Sequence, residues 1–483
     1  MFKYQDDAVG WMKIREAGEA GQDETKGGFL CHEMGLGKTR MMCRLIRENL
    51  RPLTLILTTK STIGSWIAEL CEQSNFAFDV RRYNKDKTII DETRSTVLVS
   101  THHSILKKNA AWFAGRRFDR VVIDEMHVMR NPNGLLFKGV QDIRSPFRWG
   151  LTATPFQNRA KEITTYMRFL GRTDPEEFKS CMMRQTRADV FAGGPKLVPV
   201  KRVYDFETVE ERVLYEYVSG RIDDTNAWIA ANARRLPRHV QGQMLFLLQL
   251  RERQAAIHPQ IVLDAEKVWR RQMPAEISAV IGSPEDVASW SGRSVTKFKH
   301  ILEMVKADQR ARQSTMIVTH FQSELNLIRE RLVSAGIMPV ILNGKTTAKA
   351  RTALEGLNAE DPAVIYEALD DHLPDDVISL VSGFLYKPRV LLLQIAAGGV
   401  GLSLPWVHHV IHTSPDWNPF LEQQATFRAL RATTKHDVRV TSLYFERTID
   451  CTIQAKQAIK FEESLKWTGD LPQTISEFIS MPV

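Results

Sequence analysis

Cysteine is scarce in this 483-residue chain. Its five cysteines (Cys31, Cys43, Cys71, Cys181 and Cys451) are odd in number, widely spaced and form no C-x-x-C pair. A disulfide scaffold and a cysteine-rich zinc site are thereby excluded, and a reducing compartment is expected. Long apolar runs are missing too. The first eighteen residues mix Lys3, Asp6, Asp7, Lys13, Arg15 and Glu16, which leaves no apolar core for a signal peptide. The stretch Val390 to Val407 is free of charge, but it contains Gly398, Gly399, Gly401 and Pro405 and barely reaches spanning length. A buried strand followed by a glycine turn describes it better. The expectation is a soluble intracellular protein of nucleus or cytoplasm, a viral factory included, without membrane partners. Repeats, heptad arrays and low-complexity tracts are also absent. Charge of one sign is not in large excess either. With 65 Lys+Arg against 57 Asp+Glu the formal charge is +8, which favours a polyanionic partner without naming it.

What is present is an ordinary globular composition, 43% apolar and 25% charged. Two regions alternate short β-branched runs with longer helical patterns, the signature of parallel α/β sheets. The first has strands at Leu53–Leu57, Thr96–Val99, Arg120–Ile123 and Trp149–Leu151. The second has strands at Met316–Val318, Pro339–Ile341, Val390–Leu393, His409–Ile411 and Val438–Tyr444. Thr208 to about His258 reads as helix almost throughout. The expected organisation is therefore an α/β lobe over 1–204, a helical protrusion and linker over 205–290, a second α/β lobe over 291–455, and a tail over 456–483. One insertion differs in composition. Ala359 to Tyr386 holds seven acidic residues and neither Lys nor Arg, which leaves +15 on the remaining residues. Its apolar residues fall near helical spacing, so two short helices with an acidic outer face are expected.

The segment His32-Glu33-Met34-Gly35-Leu36-Gly37-Lys38-Thr39 stands between the apolar Gly28–Cys31 and the helix-like Arg40–Asn49. Glycines let backbone N–H groups wrap phosphates, and the following helix N-terminus adds positive potential. Lys38 is placed to reach β- and γ-phosphates, and the Thr39 hydroxyl to hold Mg²⁺. The strict phosphate-loop pattern fails only at its first glycine, where His32 stands. Further on, Arg120-Val-Val-Ile-Asp124-Glu125 is a buried-strand pattern ending in paired carboxylates. Asp124 at the strand tip suits Mg²⁺, and Glu125 suits activation of an attacking water. His408, His409 and His412 with Asp416 form a tempting metal set, but strand alternation around Val410-Ile411 accounts for them.

Gly35–Thr39, Asp124-Glu-Met-His127 and Leu151-Thr-Ala-Thr-Pro155 resemble motifs I, II and III of helicase superfamily two. Tyr4-Gln5 with Gly10-Trp11, Asn131-Pro132, Gln157-Asn158, Leu250-Arg251 with His258-Pro259, Asp416-Trp417-Asn418-Pro419 and Gln424-Ala425-x-x-Arg428-x-x-Arg431 narrow the branch. The set is similar to the Swi/Snf-type ATPases, the engines of chromatin remodelers and related DNA translocases. The resemblance runs from about Phe2 to Ile453. It implies two RecA-like lobes with ATP in the cleft between them. It further implies that Gln5 reads adenine, that Gly35, Leu36, Gly37 and Gly401 approach the nucleotide, and that Arg428 and Arg431 reach across as arginine fingers. Lys60, Ser61, Thr101, Thr152, Gly398, Gly399 and Trp417 match positions on the DNA track.

The reading is a monomeric ATP- and Mg²⁺-dependent motor on double-stranded DNA, a bare motor without reader modules, with transcription or chromatin proteins as further partners. A strand-separating DNA or RNA helicase, or a transcription-coupled viral triphosphatase, is the alternative. His32, with its viral-like His-Glu start, points toward the latter. The acidic segment has no counterpart in the resemblance. A scaffold that has lost hydrolysis is disfavoured because Lys38, Asp124, Glu125, Arg428 and Arg431 are all present.

Overall fold

The computed structural model describes residues 2–17, 26–84, 88, 90–91, 93–106, 109–157, 161–232, 237–265, 295–346, 388–396, 402–431 and 433–469. The acidic insertion 359–386, Asn158, and Gly398, Gly399 and Gly401 lie outside them. Seven strands build the first sheet: β1 (Lys26–Leu30), β2 (Leu53–Thr58), β3 (Asp79–Arg82), β4 (Thr96–Thr101), β5 (Arg120–Asp124), β6 (Phe147–Leu151) and β7 (Met182–Met183). Six build the second: β8 (Leu197–Tyr204), β9 (Thr315–Thr319), β10 (Val340–Leu342), β11 (Val390–Gln394), β12 (His409–His412) and β13 (Val438–Phe445). Their orders are β3-β4-β2-β5-β6-β1-β7 and β10-β11-β9-β12-β13-β8. Every described pairing is parallel.

Parallel strands need helical crossovers, and helices then cover both faces, so the strands are apolar on both sides. The two-residue period shows in the cores. Leu55, Leu57, Val121 and Ile123 face one core, where Phe137, Ile163 and Met167 also pack. Ile56 and Val122 face the other, against Met42, Ile46 and Trp66. The second sheet is covered likewise. Met316, Val318, Leu391 and Leu393 face one core, and Ile317, Leu392 and Ile411 face the other.

Two boundaries differ from the sequence expectation. Leu197–Tyr204, placed there at the end of the first lobe, is an edge strand of the second sheet. It pairs with β13 from Leu197↔Val438 to Tyr204↔Phe445. Pro199 and a half-exposed face made it unlike the apolar runs around it, and both suit an edge. The expected tail from 456 is instead the second half of a helix, Ile449–Thr468. Along it Phe461 packs edge-on against Phe420 with centroids 5.6 Å apart, and Trp467 packs against the core of the first sheet. This helix therefore touches both halves. The helical region between the sheets is Val209–Asn232, Arg238–Ile257 and Pro259–Ala265. Tyr215 and Ser219 tie the first two of these helices together by donating to Glu252 Oε1, at 2.8 and 3.0 Å.

The first half is anchored by a fully buried ion pair. Arg120 donates from Nε and Nη2 to the two oxygens of Glu16, at 2.7 and 2.5 Å. Trp149 Nε1 and Asn49 Nδ2 add donors to the same carboxylate at 2.8 and 2.6 Å. Removing one partner strands the other charge in the interior. Glu16→Ala is expected to lower unfolding stability by about 3–5 kcal/mol, read from the urea midpoint. A loss under about 1 kcal/mol would mean that desolvation already cancels the pair.

Candidate functional site

In an all-parallel sheet the C-terminal strand ends share one edge, and ligand sites form there. Register places Leu30 beside Leu151, Leu151 beside Asp124, and Thr58 beside Thr101. The phosphate loop, the paired carboxylates and the Thr-Ala-Thr-Pro turn therefore lie on one rim.

Gly35 and Gly37 take φ of +86° and +81°, a region that L side chains seldom adopt, and Gly37 caps the helix Lys38–Glu48. Thr39 is the second residue of that helix. Lys38 Nζ curls back over the loop and donates to the carbonyls of His32 and Glu33, at 2.8 and 3.3 Å. Burial lowers the Lys38 pKa, while Glu125 and Asp124 oppose the shift. Gln5 sits against the loop, its Nε2 donating to Leu36 O at 3.2 Å and its Oε1 accepting from Phe2 N at 3.2 Å. A Cβ on Gly37 would stand 2.8 Å from that Nε2, so the glycine is needed for this approach.

Asp124 is aimed by its neighbours. Its Oδ2 accepts from Thr58 Oγ1 and Trp66 Nε1 at 2.7 and 2.8 Å, and Oδ1 accepts from the Glu125 N–H at 3.1 Å. Glu125 has φ +50°, a strained value for a non-glycine residue and a frequent mark of functional sites. His127 Nδ1 is 3.3 Å from its Oε2. Burial and then the neighbouring Glu125 raise the Asp124 pKa. Burial pushes Glu125 up as well, but His127, Lys38 and His102 outweigh it and the net shift is downward. Glu125 is thus the more readily ionised of the two. The Thr39 hydroxyl and the Asp124 carboxylate are hard oxygen donors of the kind Mg²⁺ prefers.

From the second sheet, Arg428 is buried and donates to Leu402 O at 3.4 Å. Arg431 Nη2 donates to the same carbonyl at 3.1 Å. A Cβ on Gly35 would lie 3.6 Å from Arg431 Nη1. The arginine therefore packs against the phosphate loop, although the two are far apart in sequence. Burial and the nearby Arg187 lower the Arg431 pKa to about 10, so it remains a cation at neutral pH.

Sequence reasoning passed over Arg187, which joins the two sides. Its backbone N donates to Glu33 Oε2 at 2.5 Å, and its Nη2 donates to Arg431 O at 3.1 Å. Trp66 and Thr58 were also missed. Both lie in ordinary core patterns, and no local signal marks them as holders of Asp124.

The expected DNA-track residues separate. Lys60 is exposed just past β2, Ser61 Oγ is 2.9 Å from Thr59 Oγ1, and Thr101 Oγ1 is 2.7 Å from Ser104 Oγ. Thr152 is fully buried and accepts from Thr154 N at 3.2 Å, so it shapes the turn rather than standing on the rim. Trp417 packs against the helical region, with Lys456 Nζ 4.7 Å from its ring centroid. The histidines have separate partners, His409 meeting Asp308 at 2.6 Å and Thr441 at 2.7 Å, and His412 meeting Thr426 at 2.8 Å. No helix among the described residues is long and apolar enough to cross a membrane.

The chain is similar to several known proteins. The SNF2-related domain family matches residues 4–187. A probable global transactivator of Orgyia pseudotsugata multicapsid polyhedrosis virus is 25% identical, over 95% of this chain and 89% of its own length. An uncharacterized ATP-dependent helicase of Mycoplasma genitalium is 23% identical, over 94% of this chain and 41% of its own length. Among solved structures, the Hef helicase domain of Pyrococcus furiosus shares the fold, with TM-score 0.53, 15% identity, and coverage of 93% of this chain and 97% of that one. The two sheets thus share the fold of paired RecA-like lobes. A phosphate loop, paired carboxylates and Arg431 from the second sheet stand around one cleft, residues 4–187 match the SNF2-related domain family, and the arrangement is that of an ATP-hydrolysing enzyme.

Proposed function

We propose that this ATPase is a motor that tracks double-stranded DNA and couples hydrolysis to the displacement of what is bound there. The observation that carries the reading is Arg431 lying against Gly35 across the lobe boundary. A cation delivered to the phosphate loop from the other lobe ties phosphoryl transfer to closure, and closure against reopening is the stroke of a ratchet. Lys38 and the loop N–H groups bind the phosphates, Glu125 takes the proton of the attacking water, and Arg431 meets charge on the transferring group. Thr39 and Asp124 would hold Mg²⁺, which when bound neutralises phosphate charge. On the rim, Lys60, Ser61 and Thr101 offer contacts to backbone phosphates, which position without reading sequence.

The test separates tracking from unwinding. The protein is expected to show ATPase stimulated more by duplex DNA than by RNA or single strands, and to strip a triplex-forming third strand while leaving a forked duplex paired. Fork unwinding, or stimulation by RNA alone, would replace the reading with a strand-separating helicase.

A further inference from the structure

A cleft of about 620 Å³ lies away from the phosphate loop, lined by Arg130, Asn131, Asn133, Lys161, Glu162 and Lys460. Its cations come from both halves of the molecule. Arg130 follows the paired carboxylates, and Lys161 opens the helix Lys161–Phe169. Lys460 belongs to the helix Ile449–Thr468. The one carboxylate on the described lining, Glu162, is buried and already accepts from Gln157 N at 2.9 Å. The three cations therefore outnumber it.

Their partners leave binding capacity. Arg130 gives one N–H to Gln157 Oε1 at 3.0 Å, and Lys460 gives one to Trp417 O at 2.6 Å. Lys161 is exposed. Burial is the main cause that lowers the Lys460 pKa; Asp416 and then Glu162 oppose it, and Lys456 and Arg130 add smaller downward pushes. An anion in the cleft would favour the charged form of this partly buried ammonium. Guanidinium, ammonium and amide donors around a polar space suit phosphate oxygens better than a carboxylate or an apolar group.

We infer that this cleft is a phosphodiester-binding site for the backbone of the tracked duplex, gripped by Arg130 and Lys161 from the first half and by Lys460 from the second. The inference rests on the duplex-tracking reading and adds to it a contact made jointly by both halves. Its position gives the grip a route to the motor. Gln157 Oε1, which accepts from Arg130, also accepts from Asn418 Nδ2 of the second half at 3.4 Å. Filling the cleft would therefore load a hydrogen-bonded junction between the lobes.

The experiment is duplex binding by fluorescence anisotropy across a salt series. Lys161→Gln is the main variant, since its exposed position spares the fold. Lys161→Gln/Lys460→Gln is the second, and Lys60→Gln on the rim is the reference. Each lost phosphate contact should reduce the slope of log affinity against log salt by about 1. The expected result is a reduction of about 1 for Lys161→Gln, about 2 for the double variant, and recovery with Lys161→Arg. Inorganic phosphate at constant ionic strength should leave these differences in place if the ligand is the duplex backbone. If it erases them, the cleft takes free phosphate and the inference fails. A reduced slope for Lys60→Gln with none for Lys161→Gln overturns the cleft alone. If the parent protein binds no duplex at all, the tracking reading falls, and this inference with it.

Discussion

Arg431→Ala is expected to lower duplex-stimulated ATP turnover by about 10³-fold or more, with ATP affinity nearly intact. Its surroundings explain why the loss should be large. The half-buried side chain packs against Gly35, its buried Nε has no hydrogen-bond partner, and its described contacts include no carboxylate. An arginine that served only the fold would be expected to carry an acidic neighbour, because an uncompensated buried cation is costly. Here Arg187 adds like charge instead. The missing counter-charge is what the γ-phosphate would supply, most strongly when charge builds up during transfer. Steady-state turnover and nucleotide affinity measured together decide the matter. Unchanged turnover would remove Arg431 from the chemistry, and a collapse of thermal stability would give it a structural role.

Glu125→Gln is expected to slow hydrolysis by about 10²–10⁴-fold while a fluorescent ATP analogue still binds. The swap keeps size and hydrogen bonding but removes the base. The direction of its pKa fixes the pH response. Burial alone would hold Glu125 protonated at higher pH, but His127, Lys38 and His102 bring the net value below the usual carboxylate range. The base is therefore ionised at neutral pH, and the rate should fall only as pH drops through that lowered value. Asp124 is shifted the other way, upward, by burial and by Glu125. Parental turnover in Glu125→Gln would reassign the base.

Glu125 and Lys38 were legible because their signals are local. A strand that ends in two acids, and two glycines just before a lysine, announce their geometry within eight residues. Most strands were legible for the same reason, since both faces of a buried parallel strand are apolar. What escaped depends on distant partners. Trp66 reads as a core residue, and only the fold shows its indole 2.8 Å from Asp124. Arg187 reads as one basic residue among several, and its bonds to Glu33 and Arg431 span much of the chain. Thr152 carries a familiar motif, but packing turned it inward. The short edge strands Asp79–Arg82 and Met182–Met183 have too few buried positions to set a pattern.

The pairing of β8 with β13 has a consequence for the growing polypeptide. Leu197–Tyr204 leaves the ribosome long before Val438–Phe445, its one neighbour in the sheet among the described residues. At about 5–20 residues per second, that wait is on the order of ten seconds to a minute. During it the early segment has no sheet to join, and its exposed Val198 and Val203 are free to find other strands. Folding of the second lobe must then close a loop of well over 200 residues, the kind of non-local contact that slows folding. The same register sets where the molecule can be cut. A fragment beginning after Tyr204 would present β13 with a raw edge and invite aggregation, whereas one beginning just before Leu197 would carry its own closing strand.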